Sequence, residues 1–114
     1  MSKLVEEEKI EELKELGGDE FIEEIFTLFL SQSEEIYKEI KMAIETKNLD
    51  MLYKAGHKLK GSCLNVGTNK LADISKTLEL KGKQNDLSDL DSLFVEFTST
   101  YDETVQAVSK YINH

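Results

Sequence analysis

The sequence predicts an all-α protein, an antiparallel four-helix bundle with a short additional N-terminal helix, on three observations. Its 114 residues contain no proline, so nothing removes a helical N–H or drives a ring against a preceding turn. Glu, Lys, Leu and Ile, residues that suit a bundle of helices, are abundant. Apolar residues recur every three or four positions through each long segment, the spacing of one helical face. A chain of this length buries one core without disulfides or a structural metal, so residues 1–114 are expected to form one domain.

Leu4, Val5, Ile10, Leu13 and Leu16 mark a short first helix, which Gly17-Gly18 can stop by supplying a positive φ. Asp19 can cap a second helix running to about Lys47. Its inward positions are Ile22, Ile25, Phe26, Phe29, Ile36, Ile40 and Ala43, with Ser33 filling the one gap. Residues 48–50 read as a tight connection. Leu52, Ala55, Leu59, Ser62, Cys63 and Val66 then trace a third helix that Gly67 can end. Thr68 suits the cap of a fourth helix with Leu71, Ile74 and Leu78 inward, broken at residues 81–85. Asp86 or Ser88 can start the last helix, whose apolar set is Leu90, Phe94, Phe97, Tyr101, Val105, Val108 and Ile112. Amphipathic helices joined by short loops bury their stripes best as an antiparallel bundle.

The net charge of -9 excludes a nucleic-acid partner as the first reading, because affinity for a polyanion comes from Lys and Arg neutralising phosphates. It disfavours an anionic membrane surface as well, and no stretch approaches the roughly 20 apolar residues that cross a bilayer. Cys63 is the one cysteine, so an intrachain disulfide is impossible and a reducing, cytoplasmic setting is expected. Metal binding is not expected: His57 has Lys54, not a glutamate, three residues before it, and His114 is the terminal residue. Phosphate-cradling glycine loops, hydrolase triads and nucleotide-binding patterns are missing from the sequence.

The third helix carries the chemistry. At 100° per residue, Leu52, Ala55, Cys63 and Val66 fall within about 40° of Leu59, whereas His57 lies about 160° away and faces solvent. Tyr53, Gly61 and Leu64 share that outward face, with Lys54 and Lys60 on its flanks. A glycine inside a helix costs about 1 kcal/mol relative to alanine, and a bare backbone one turn beyond the imidazole offers a reason for Gly61: clearance beside the ring. Gly56 suits close helix packing instead. Lys54, Lys58 and Lys60 form a local positive cluster in an acidic chain, suited to a dianionic group. The imidazole side chain, with an ordinary pKa of about 6.5, is largely neutral and nucleophilic near neutrality.

The segment His57-Lys58-Leu59-Lys60-Gly61-Ser62, followed by Gly67 and Leu71 and later by Leu78-Glu79, resembles the signature of histidine phosphotransfer (HPt) domains. The resemblance implies that His57 is a phosphoacceptor exchanging a phosphoryl group with the aspartate of a response-regulator receiver domain, as the middle carrier of a multistep phosphorelay fed by a sensor or hybrid histidine kinase. It implies a carrier rather than an enzyme, with no cofactor bound by this domain, since the receiver brings the aspartate and Mg²⁺. Lys60 would stabilise the phosphoryl oxygens and Gly61 would give clearance. Tyr53, Leu64, Lys54 and, from the first helix, Leu13 would dock the partner. A monomer is expected. Two other readings stand beside it: the phosphoacceptor domain of a chemotaxis-type histidine kinase, and a helical interaction module that is never phosphorylated.

Overall fold

A computed structural model describes residues 2–112; His114, set aside above, lies outside the described residues. Four helices follow in order: α1 (Glu7–Glu45), α2 (Leu49–Val66), α3 (Asn69–Lys83) and α4 (Leu90–Ser109). No strand occurs among the described residues. In the bundle α2 packs on α1 and α3, and α4 packs on α1 and α3 from the other side.

The stop expected at Gly17-Gly18 is a break inside α1, where Gly18 takes φ 74° and ψ -166°. Thirty-nine helical residues in line would span about 58 Å, yet the longest dimension of the molecule is 43 Å. The break turns residues 7–17 back so that the Lys9 side chain crowds Gly67 at the end of α2. Here Leu13 packs into the core while Leu16, placed with it in one apolar series above, is 75 % exposed. One turn apart, the two share a helical face, and it is the place of Leu16 next to the Gly18 break that sets it apart from the covered part of the segment.

From residue 19 onward α1 buries Ile22, Phe26, Phe29, Ile36, Ile40 and Ala43, and Ser33 fills the gap as expected, its Oγ donating to the Leu30 carbonyl at 3.2 Å. Helix α2 begins at Leu49, two residues earlier than the connection at 48–50 suggested, because the Asn48 side chain accepts from the Met51 N–H at 3.1 Å and caps it. Gly67 ends it at φ 82°. Thr68 stands at the start of α3, but its hydroxyl turns back to the Cys63 carbonyl at 3.4 Å instead of capping forward.

The break expected from Lys81 onward comes three residues later, at Gln84, and Gly82 within the helix is a glycine for a steric reason. A Cβ there would stand 2.5 Å from the Tyr53 N and 2.6 Å from the Leu49 O, so α3 meets the α2 backbone at this glycine. Helix α4 starts at Leu90, later than Asp86 or Ser88, because Asp86 holds a turn. It accepts from the Ser88 N–H at 2.9 Å and from Lys81 Nζ at 3.0 Å. Those bonds, with that from the Ser88 hydroxyl first among them, hold the Asp86 carboxyl down at about 2.

Helix α4 stands on aromatic rings. Tyr37 of α1 stacks on Tyr101 at 4.7 Å and on Phe97 at 5.5 Å, and its hydroxyl shares a 2.8 Å hydrogen bond with Thr98. Ahead of α1, residues 3–6 run along the α2–α3 corner: the Glu6 N–H donates to the Gly67 carbonyl and the Lys70 N–H to the Lys3 carbonyl, both at 2.9 Å. These bonds satisfy groups that the ends of α2 and α3 would leave open. No helix among the described residues is long and apolar enough to cross a membrane.

Candidate functional site

Helix α2 buries Leu52, Ala55, Leu59, Cys63 and Val66. That registration turns His57 outward, with its side chain 64 % exposed. Tyr53 lies one turn before it with ring centroids 6.5 Å apart, and Leu64, two turns after, is 52 % exposed. A Cβ on Gly61 would meet no atom within 4 Å. Open space borders the imidazole there, and packing gives no reason for the glycine.

Gly56, one residue before His57, is the opposite case. A Cβ would stand 2.8 Å from the Glu79 N and 3.0 Å from the Glu79 Cα and the Ser75 O, all backbone of α3. The two helices approach so closely that Glu79, carried on α3, reaches across to α2. Its Oε2 lies 2.8 Å from His57 Nδ1 and its Oε1 2.7 Å from Lys60 Nζ.

This carboxylate is nearly buried, and burial alone would push its pKa up. Hydrogen bonds from Lys60 and His57 and their charge outweigh that and hold it below the ordinary 4.5. An ionised carboxylate only accepts, so Nδ1 is the donor, and Nε2 of the neutral ring carries the free lone pair on the exposed side. The arrangement presents one nucleophilic nitrogen to solvent and backs the other with a negative charge.

The positive cluster read from sequence is neutralised in the fold. Lys54 pairs with Asp50 at 3.0 Å, Lys58 with Glu39 of α1 at 2.7 Å and Lys60 with Glu79 at 2.7 Å. Leu13, named above as a docking residue, is 6 % exposed and belongs to the core, so a partner cannot reach it. Cys63 is buried, and its thiol is pushed up to about 12 by that burial, which fits a core residue. Sequence reasoning gave Glu79 no role at the imidazole. Its signal was a single acid directly after Leu78 at the edge of the apolar stripe of α3, which only the pairing of α2 with α3 connects to His57.

Comparison with known proteins gives the family and the fold. The fold superposes on histidine-containing phosphotransfer protein B (HptB) from Pseudomonas aeruginosa PAO1 with a TM-score of 0.87, over 96 % of this chain and 95 % of that one, at 20 % identity. A curated relative, phosphorelay intermediate protein YPD1 of Candida albicans, is 32 % identical over 83 residues, 71 % of this chain and 45 % of that protein. The chain thus spans less than half the length of that relative. The model of the Hpt domain matches residues 24–110. With an all-helical bundle, an exposed histidine on its second helix and that match over most of its length, the chain belongs to the Hpt domain family.

Proposed function

We propose that the protein is a phosphoryl carrier of a two-component phosphorelay, shuttling the group between His57 Nε2 and the aspartate of a response-regulator receiver domain. The observation that carries this reading is the exposed imidazole whose Nδ1 is held by the ionised, buried Glu79. In the loading step the Nε2 lone pair attacks the phosphorus of an aspartyl phosphate, the P–O bond breaks, and the aspartate leaves as a carboxylate. Nδ1 keeps its proton throughout. The ring gains positive charge as the N–P bond forms, and the Glu79 carboxylate 2.8 Å away balances it. Transfer onward is the same step reversed.

Lys60 starts the cycle on Glu79, and its amine can turn to the phosphoryl oxygens when they arrive, since both anions lie within reach of one flexible stem. Gly61 leaves room for the partner's active site. Tyr53 and Leu64 form the apolar part of the docking face; Lys54 contributes to it after leaving Asp50. The chain itself is a substrate in this scheme. The receiver, or a histidine kinase acting upstream, supplies the catalytic groups and the Mg²⁺, and the work proceeds in the cytoplasm with the bundle as a monomer.

The test mixes the protein with phosphorylated receiver domains and Mg²⁺ and assays acid-labile phosphate on His57, with His57→Gln as control. Label on the wild type alone supports the carrier. Absence of label from several receivers, and from histidine kinases with ATP, would leave an interaction module in its place.

A further inference from the structure

The lysines nearest His57 in sequence are all engaged by carboxylates, which raises the question of what meets the negative charge of an approaching partner. The answer lies on α3. It runs alongside α2, touching it at Gly82 opposite Tyr53 and at Glu79 opposite Gly56. Lys76 precedes Glu79 by three residues and Lys83 follows it by four, so both project within about 60° of the Glu79 direction, one on each side of it along the helix. Because Glu79 holds His57, these two lysines bracket the imidazole about 10 Å apart along the helix axis.

Both are exposed. Among the described residues neither has a carboxylate within ion-pair distance. Lys83 lines a groove with Tyr53, whose ring neighbours that of His57.

We propose that Lys76 and Lys83 are the steering cations of the phosphoacceptor face, drawing in and orienting the anionic mouth of a receiver domain. The proposal rests on the carrier reading and names which residues of this chain make the encounter productive. A receiver's mouth, with Mg²⁺-binding carboxylates and an aspartyl phosphate, is negative, and a chain of net charge -9 repels it from most directions. Two free ammonium groups astride His57 make that one face attractive. Their effect falls on association and leaves the bond-making step to Nε2, Glu79 and Lys60.

The variant K76Q/K83Q is compared with K47Q/K110Q, which removes the same charge from the connection after α1 and from the residue that follows α4. Phosphoryl transfer from a phosphorylated receiver is followed at low and at physiological ionic strength. Loading of His57 by phosphoramidate, a small donor that needs no docking, is followed by phosphorus NMR. K76Q/K83Q is expected to lower the second-order transfer rate about three- to tenfold at low ionic strength. The gap closes as salt rises, while the rate at saturating receiver and phosphoramidate loading stay at wild-type values. Equal loss in K47Q/K110Q, no loss in K76Q/K83Q, or a fall in the saturating rate overturns the proposal. Wild-type protein that loads from phosphoramidate but exchanges with no receiver overturns the carrier reading as well, and that pattern is distinct from the others.

Discussion

Replacing Gly61 by alanine separates stability from transfer. The added methyl meets no atom within 4 Å, so it carries no packing penalty. In a helix interior alanine is favoured over glycine by about 1 kcal/mol. Unfolding entropy of about 2.1 cal/mol/K per residue gives about 0.24 kcal/mol/K for 114 residues, so the gain raises the thermal midpoint by about 4 °C. The same methyl stands in the space a partner's active site must enter, one turn from His57. Holding reacting atoms apart by about 1 Å can cost as much as 100-fold, so transfer from a phosphorylated receiver is expected to fall by about 10- to 100-fold. Calorimetry gives the first number and transfer of labelled phosphate the second. A lower midpoint would refute the packing argument; a raised midpoint with unimpaired transfer would refute the clearance argument.

Gly56→Ala should do the reverse to stability, since its Cβ would strike α3 backbone atoms at 2.8 to 3.0 Å. Overpacking of about 1–3 kcal/mol less the helix-propensity gain leaves a loss of up to about 2 kcal/mol, read by urea melts. Nitrogen chemical shifts of His57 should also show a less uniform tautomer as Glu79 is pushed away. Glu79, with its folded pKa below 4.5, contributes stability that is fully present above that pH and is lost as pH falls through the folded value. Urea midpoints from neutral pH downward should therefore drop more steeply below 4.5 for wild type than for Glu79→Gln, and parallel curves would contradict the pairing. The Cys63 thiol, buried and pushed up to about 12, should be inert to a thiol reagent at pH 8 in the folded protein and react at once in denaturant.

Within-helix relations were legible in the sequence and between-helix relations were not. The spacing around Leu59 placed His57 outward without any tertiary information, and the left-handed stop at Gly67 and the break at Gly18 follow from glycine alone. The Lys54–Asp50 pair, four residues apart, was also within reach of a helical wheel. Lys58–Glu39 and Lys60–Glu79 each join residues nineteen apart on different helices, and nothing in local spacing says which helices face each other. Leu13 and Leu16 show the same limit at smaller scale. Both are apolar and one turn apart, but the fold-back at Gly18 decides which one is covered. The late start of α4 depended on a side-chain turn at Asp86 that competes locally with helix.

The contrast between glycine contacts and aromatic contacts gives the bundle unequal stiffness. Helices α2 and α3 meet backbone to backbone at Gly56 and Gly82, where little side-chain volume remains to rearrange. Helix α4 rests on the rings of Tyr37, Phe97 and Tyr101, side-chain contacts in place of a backbone-to-backbone one. Amide hydrogen exchange should therefore release α4 before the α2–α3 hairpin. His57 and Glu79 sit together on that hairpin, so the candidate site should keep its geometry while α4 opens.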